Sequence, residues 1–173
     1  MTQHIVYLGV GSNLGDKVSN CLRALEEIAL SGHTQIHIIS SLYKTDPVGY
    51  QNQDWFINCV AQVMTMLAPR PLVRLLQSIE KKVGRTKAFT MGPRIIDLDI
   101  LFYGAAIVEE PDLIIPHPHL HERGFVLAPL AEIAPDLTHP VLKKTADELL
   151  KIIGEKGVEL YAAPPAIGVS PLS

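Results

Sequence analysis

Two aspartates, Asp97 and Asp99, lie two residues apart in an otherwise apolar segment that runs from Ile95 to Tyr103. In a β-strand, residues i and i+2 face the same side about 6.5–7 Å apart at Cα, so the two carboxylates would repel each other. A hard divalent cation removes that repulsion, and Mg²⁺ leaves coordination positions open for phosphate oxygens. The spacing therefore predicts a metal-binding pair, with a solvent-facing edge strand as the alternative.

Basic side chains are concentrated directly before these aspartates. The segment from Arg70 to Arg94 contains seven Lys or Arg residues and one Glu, a charge of +6. The whole chain carries −3, which leaves −9 for the remainder. A local basic region in an acidic chain fits a small polyanion better than a nucleic acid. Metal-holding acids beside Lys and Arg are the groups that phosphoryl transfer requires. The alternative is a solvated helix face that continues into a loop.

Two further motifs have more than one interpretation. The segment Gly9–Gly15 has the spacing G-x-G-x-x-x-G, which is neither the dinucleotide fingerprint nor a Walker A loop. It predicts a tight strand-to-helix turn that exposes Ser12 and Asn13 at the site. The segment His117–His121 reads H-x-H-x-H, but its prolines and the absence of a nearby cysteine disfavour structural zinc. A histidine that donates to phosphate and a solvent-facing loop both remain open.

Hydrophobic periodicity predicts the elements that position these residues. The first helix begins after Asp16 and the second ends at Gly84. Ile96, Leu98, Ile100 and Phe102 are expected to face the core together. The order β-α-β-β-α-β predicts an α+β fold with a ferredoxin-like βαββαβ core, in which helices pack on an antiparallel sheet. The four strands are predicted at Ile5–Val10, Ile36–Leu42, Phe56–Met64 and Ile95–Tyr103.

C-terminal additions follow this core. The sequence predicts a short hairpin over Ile107–Ile115, a helix over Phe125–Ala134 that contains Pro129, and a helix that a capping box at Thr145 opens. The single domain is predicted to extend over residues 1–157. Residues 158–173 are rich in Ala, Pro, Gly and Ser, and are expected to form a loosely ordered tail.

Composition limits the class of protein. With 173 residues and 47% apolar side chains, the chain predicts one folded domain rather than a disordered segment. No apolar run has the length of a membrane span, and the N-terminus lacks the basic region of a signal peptide. Cys21 and Cys59 are too few for a disulfide framework. We therefore expect a cytoplasmic protein with reduced thiols that does not bind a membrane. We also expect a monomer that binds no nucleic acid.

Five motifs occur together in one order. They are Gly11-Ser12-Asn13-Leu14-Gly15, Ser41-Leu42-Tyr43-Lys44-Thr45, Gly92-Pro93-Arg94-Ile95-Ile96-Asp97-Leu98-Asp99, Pro116-His117 and Arg123-Gly124-Phe125 through Leu130. With them the chain resembles the hydroxymethyldihydropterin pyrophosphokinases of folate biosynthesis over about residues 4–140. The resemblance implies diphosphate transfer from ATP to the hydroxymethyl group of 6-hydroxymethyl-7,8-dihydropterin, with release of AMP. It also implies two Mg²⁺ ions held by Asp97 and Asp99.

The same resemblance implies roles for individual residues. Arg85 and Arg94 would be the catalytic cations beside Asp97 and Asp99. The residues implied for pterin binding are Thr45, Val48, Phe56, Asn58 and Phe125, with the two phenylalanines on either side of the ring. The residues implied for the nucleotide and its phosphates are Gln77, Glu80, Lys87, Ile100, His117 and Arg123.

The chain departs from better-known members mainly in one loop. Residues 85–92 are one residue shorter, Lys87 replaces a common second arginine, Met91 replaces a frequent tryptophan, and Pro118 replaces a tyrosine. Residues 85–91 are nevertheless expected to form a lid over the phosphates. From the residues alone, two other functions stay open: a metabolite-sensing module on the same fold, and a two-metal nucleotidyl transferase. RNA binding is disfavoured because aromatic residues make up only 6% of the chain.

Overall fold

A computed structural model describes residues 2–47, 52–84 and 95–167. Along the chain, two longer helices alternate with the strands of the core, and two shorter helices follow them. A short 3₁₀ turn at Leu120–Glu122 precedes the third helix. The strands are β1 His4–Ser12, β2 Thr34–Ile39, β3 Leu42–Thr45, β4 Phe56–Thr65, β5 Asp97–Tyr103, β6 Val108–Glu110, β7 Leu113–Ile115 and β8 Val158–Ala162; the helices are α1 Lys17–Leu30, α2 Pro69–Val83, α3 Gly124–Ile133 and α4 Ala146–Ile153.

The main sheet is antiparallel, with the strand order β5-β1-β4-β3-β8. The predicted second strand is divided into β2 and β3, which both pair with β4. Between them, Ser40 Oγ accepts the N–H of Val60 at 2.9 Å and donates to the carbonyl of Ser41 at 2.8 Å. The two short strands therefore occupy one position in the sheet, and the ferredoxin-like α+β arrangement is confirmed.

The two core helices, α1 and α2, cover one face of this sheet. Asp16 caps α1, since its Oδ1 accepts the N–H of Ser19 at 3.1 Å. Gly84 ends α2 with φ of 103°, a left-handed conformation that favours glycine. Fully buried side chains of these helices, such as Leu25 and Leu72, pack in the core between the helices and the sheet. The start and stop predicted from the sequence are both confirmed.

The opposite face is covered by α3 and α4, so the sheet lies between two helical layers. The prediction that Phe102 faces the same side of the sheet as Ile100 is wrong. Leu8 pairs with Ile100 but Tyr7 pairs with Phe102, so Leu101 is an extra residue in β5. A bulge of this kind reverses the face of the residues that follow it. Phe102 consequently packs in the cluster that contains Leu127, away from Ile100.

The C-terminal additions are more ordered than the sequence suggests. The β6–β7 hairpin, the helix around Pro129 and the Thr145 capping box are confirmed. The expected loose tail is wrong for Val158–Ala162, because these residues form β8 and pair with β3. This segment is too short to show a clear period, and its partner is more than a hundred residues away. Within the described ranges, no helix is long and apolar enough to cross a membrane.

Candidate functional site

A cavity of about 130 Å³ lies on the face of the sheet that α3 covers, and we name it the inner pocket. Its floor comes from the central strands β1 and β4, and its side from β5 and the start of α3. Seven of the predicted site residues line it. They are Thr45, Phe56, Asn58, Asp97, Asp99, Arg123 and Phe125.

Two glycines of β1, Gly9 and Gly11, form part of the pocket floor. A Cβ atom on Gly11 would lie 2.5 Å from Oδ1 of Asn58, closer than side chains tolerate. A Cβ on Gly9 would lie 3.4 Å from a methyl group of Leu101, an ordinary contact. The missing side chain at Gly11 therefore leaves space for the Asn58 amide, as glycine in a strand often does where another group approaches closely.

The predicted strand-to-helix turn is displaced along the motif. Gly9 and Gly11 lie inside β1, whereas Gly15, with φ of 73°, is in the turn. The expected exposure of Ser12 and Asn13 is wrong, since both are buried. Asn13 instead donates through Nδ2 to Gln53 Oε1 at 2.7 Å. It thereby ties the end of β1 to the segment that precedes β4.

Asn58 is the polar group on the floor of the inner pocket. Its side chain is buried, and its Nδ2 donates to Oγ1 of Thr45 at 2.5 Å. This hydrogen bond holds the amide in one orientation. An amide offers both a donor and an acceptor, so Asn58 can recognise a ligand edge that carries both.

Aromatic rings approach the inner pocket from two layers of the fold. Phe56 is the first residue of β4, and Phe125 lies in the first turn of α3. The guanidinium of Arg123 lies 5.5 Å from the centre of the Phe125 ring, within range of a cation–π interaction. Rings from separate layers suit a flat ligand, which gains stacking on each face.

A second and larger cavity, about 460 Å³, lies between α2, β5 and the β6–β7 hairpin; we name it the outer pocket. Predicted residues that line it besides the aspartates are Gln77, Glu80, Ile100 and His117. Glu80 is buried and accepts the N–H of Leu98 at 2.9 Å, which fixes α2 against β5. The cavity walls also include apolar side chains, namely Val73, Leu76, Leu98, Leu113 and Ile114.

Asp97 and Asp99 line both cavities, so the two pockets meet at the carboxylate pair. Both residues are half-buried, and they alternate with buried Leu98 and Ile100 as the sequence predicts. Two carboxylates supply oxygen ligands for a hard divalent cation and leave its other positions to a ligand. In the ranges that the structure describes, no cluster of three or more His, Cys, Asp or Glu side chains could enclose a metal.

His117 supplies a neutral hydrogen-bond donor at the outer pocket. Burial lowers the pKa of its imidazole to about 4, helped by the charges of Arg123 and His119 and opposed by that of Asp97. Its Nδ1 accepts the N–H of His119 at 3.2 Å. The proton of the neutral ring therefore resides on Nε2, where it is available to a ligand near pH 7.

Some predicted site residues have other positions or cannot be placed. Arg123, assigned to the nucleotide by resemblance, lines the inner pocket rather than the outer one. Val48, Arg85, Lys87 and Arg94 lie outside the described residues, as does the lid proposed for residues 85–91.

Other lining residues were not predicted from the sequence. The inner pocket also includes Asp46, Gln53 and Val126, and the outer pocket includes the hairpin turn at residues 111–114. A glycine pair inside an apolar strand was a usable signal for the pocket floor. The hairpin itself was predicted, but no signal in the sequence placed it at the outer pocket, because its position over β5 depends on tertiary packing.

Known proteins with similar sequences identify the family. The sequence model of 7,8-dihydro-6-hydroxymethylpterin-pyrophosphokinase (HPPK) matches residues 7–135. A 2-amino-4-hydroxy-6-hydroxymethyldihydropteridine pyrophosphokinase of Methylorubrum extorquens is 41% identical over 88% of this chain and 96% of its own length. The folic acid synthesis protein FOL1 of Dictyostelium discoideum is 41% identical over 94% of this chain. The chain spans only 24% of that protein's length.

Solved structures support the same fold. A crystal structure of wild-type Plasmodium falciparum HPPK-DHPS with pterin and p-hydroxybenzoate superimposes with a TM-score of 0.67. The similarity covers 88% of this chain and 42% of that chain, at 18% sequence identity. With the match over residues 7–135 and the relatives at about 40% identity, the chain belongs to the 7,8-dihydro-6-hydroxymethylpterin-pyrophosphokinase family.

Proposed function

We propose that this chain transfers a diphosphate from ATP to the hydroxymethyl group of 6-hydroxymethyl-7,8-dihydropterin and releases AMP. One observation carries the proposal: the inner and outer pockets meet at Asp97 and Asp99. A reaction between two bound substrates needs such a junction, because the reacting atoms must be held within a few ångströms of each other.

The inner pocket suits the pterin. A pterin is a flat ring with hydrogen-bond donors and acceptors along one edge, and the Asn58 amide can pair with both. Phe56 and Phe125 would stack on the ring from the sheet and from α3. By analogy with base stacking, each aromatic contact would contribute about 1–3 kcal/mol. In this pose the hydroxymethyl group would extend towards Asp97 and Asp99.

The outer pocket suits ATP. Its apolar walls between α2 and the β6–β7 hairpin can bury a base, and Gln77 and His117 supply polar contacts. His117 would donate from Nε2 to the nucleotide as a neutral ring. Arg85, Lys87 and Arg94 would add positive charge around the phosphates, since they belong to the basic segment that precedes β5.

Asp97 and Asp99 would hold the Mg²⁺ ions of the reaction. Their oxygen ligands and their position between the pockets fit this cation, as two carboxylates leave coordination places for phosphate oxygens. When bound, Mg²⁺ would neutralise the charge of the phosphates. Glu80 would support the site indirectly, because its bond to the Leu98 N–H fixes the strand between the two aspartates.

The chemistry is a displacement at phosphorus. The hydroxymethyl oxygen of the pterin forms a bond to the β-phosphorus of ATP. The bond from that phosphorus to the oxygen bridging the α-phosphate breaks, AMP leaves, and the hydroxyl proton is released. The residues of the chain contribute by positioning: Asn58 and the two phenylalanines orient the acceptor, while the outer pocket orients the donor.

Positional labelling of ATP tests this proposal. With Mg²⁺ and hydroxymethyldihydropterin, label from the β- and γ-phosphates should appear in the pterin product, while α-label remains in AMP. A nucleotidyl transferase would place the α-label in the pterin and release diphosphate. A metabolite-sensing module would consume no ATP. Either of the last two results refutes the proposal, and omission of Mg²⁺ supplies the control.

We also propose that the chain acts as a monomer, since one copy contains both pockets and the aspartates between them. Light scattering at the enzyme concentration of the assay tests this: the expected mass is 19.0 kDa, and a dimer would contradict the proposal.

A further inference from the structure

The C-terminal strand β8 lies beyond residues 7–135, the part of the chain that the family model matches. It extends the main sheet at the edge next to β3. Although the strand does not line the inner pocket, it contacts three elements that do. Each of these contacts bears on a different wall.

The first contact is with the end of β3. Val158 pairs with Thr45, whose Oγ1 accepts the hydrogen bond from Asn58. One residue further, the N–H of Asp46 donates to the carbonyl of Gly157 at 2.9 Å. A Cβ on Gly157 would lie 2.8 Å from Oδ2 of Asp46, so the backbone at Gly157 lies in close contact with the Asp46 side chain. This pairing fixes the wall that contains Thr45 and Asp46.

The second contact is with the start of α3. A Cβ on Gly124 would lie 3.3 Å from a methyl group of Val158 and 3.4 Å from the carbonyl oxygen of Gly154. Gly124 is flanked by Arg123 and Phe125, which both line the inner pocket. The close packing of Gly124 against this C-terminal segment therefore fixes the start of α3, which contains Phe125.

The third contact is with the segment that leads into β4. The ring of Tyr161 lies 5.9 Å from the ring of Trp55 at an angle of 39°. Trp55 is also approached by the ammonium group of Lys17, at 3.9 Å from the ring centre. The residue after Trp55 is Phe56 of the inner pocket. Tyr161 thus packs against the residue next to an aromatic wall of that pocket.

We infer that β8 positions three walls of the inner pocket and thereby sets its affinity for the pterin, with Tyr161 as a positioning residue that acts through Trp55. This inference rests on the proposed function, since it takes the pterin as the ligand of the inner pocket. The outer pocket has no lining residue on β8, so ATP binding should not depend on the strand.

The test compares Tyr161→Ala with Leu160→Ala. Both residues are exposed neighbours on the same edge strand, Tyr161 at 51% and Leu160 at 69%, and both substitutions remove a large hydrophobic side chain. Among the ring pairs of the described residues, Tyr161 is the ring that packs against Trp55. Loss of one aromatic pair is expected to weaken pterin binding about two- to tenfold, whereas Leu160→Ala should leave it unchanged.

Calorimetry with the pterin, and separately with a non-hydrolysable ATP analogue and Mg²⁺, gives the two affinities without turnover. Steady-state assays should show a higher KM for the pterin, with kcat and the KM for ATP within twofold of the unchanged protein. Trp55 is the sole tryptophan of the sequence, so its fluorescence spectrum should shift in Tyr161→Ala and not in Leu160→Ala. A second variant, Gly157→Ala, should weaken pterin binding too, because Gly157 has φ of 77° and little space for a side chain.

Equal pterin affinity in Tyr161→Ala and the unchanged protein would overturn the inference. Equal losses for pterin and ATP would also overturn it, because they would show a general loss of structure. If the unchanged protein bound ATP but no pterin, the proposed function itself would fall, and this inference with it. The two failures are therefore distinguishable by the behaviour of the unchanged protein.

Discussion

The substitution Gly11→Ala should damage pterin binding through Asn58. Gly11 is in β1 and has no left-handed φ, so alanine fits the backbone there. The new methyl group would, however, lie 2.5 Å from Oδ1 of Asn58. Since Cβ contacts below about 3 Å are not tolerated, the Asn58 amide must rotate or move.

The size of the effect follows from what the Asn58 amide loses. Its bond to Thr45 Oγ1, at 2.5 Å, lies in a buried environment, and rotation breaks it. The rotated amide also presents the wrong groups to the pterin. An unsatisfied buried polar group costs about 1–3 kcal/mol, which corresponds to a loss of pterin affinity of roughly five- to 150-fold. Affinity for ATP should be unchanged, because neither residue lines the outer pocket.

Calorimetric titration with the pterin measures the loss, and two control variants identify its cause. In an Asn58→Ala background the colliding oxygen is absent, so adding Gly11→Ala should cause no further loss. Gly9→Ala places its methyl group 3.4 Å from Leu101, so the free energy of unfolding should stay within about 0.5 kcal/mol of the unchanged protein. Pterin affinity within twofold of normal in Gly11→Ala, or fully additive losses in the double variant, would refute the reasoning.

Three further predictions concern single side chains. Phe125→Ala should weaken pterin binding by about 1–3 kcal/mol and leave ATP binding unchanged in calorimetry, so equal losses for both ligands would contradict the stacking role. Burial raises the pKa of the Cys59 thiol to about 12, and it also holds the pKa of the Cys21 thiol well above its usual value. Neither thiol should therefore react with a thiol reagent at pH 8 until the protein is unfolded, and rapid labelling of the native protein would contradict this. The pKa of His117 falls from 6.5 to about 4 on folding, so the unfolded chain binds a proton at higher pH than the folded protein does. The free energy of unfolding should therefore decrease by roughly 1–2 kcal/mol as the pH falls from 6.5 to 4. Denaturant titrations of His117→Asn should show a smaller decrease, and a decrease equal to that of the unchanged protein would exclude His117 as the cause.

Features with local signals could be predicted from the sequence. The Asp16 cap, the Gly84 stop and the capping box at Thr145 each depend on residues within one helical turn, and the structure contains all three. The alternation of Asp97 and Asp99 with apolar neighbours also placed both carboxylates on one side of β5. The position of these aspartates at a junction of two pockets depends on the whole fold.

Features that depend on distant pairing could not be predicted. The division between β2 and β3 rests on the bonds of Ser40 to β4, and the face of Phe102 rests on the extra Leu101 opposite β1. The strand β8 exists because β3 offers it a free edge. Residues such as Asn58 and Phe125 were linked to the pterin through resemblance to a family, and a single sequence gives no distance between them.

The central claim is that Asp97 and Asp99 serve the transfer step at the meeting point of the inner and outer pockets. The most direct test is the single-turnover rate of AMP formation in Asp97→Asn and Asp99→Asn, measured together with the calorimetric affinity for the pterin. Each variant keeps the shape of the side chain but removes its charge. We expect the rate to fall at least about a hundredfold while pterin affinity stays within about threefold. Retention of more than about a tenth of the rate in either variant would contradict the claim.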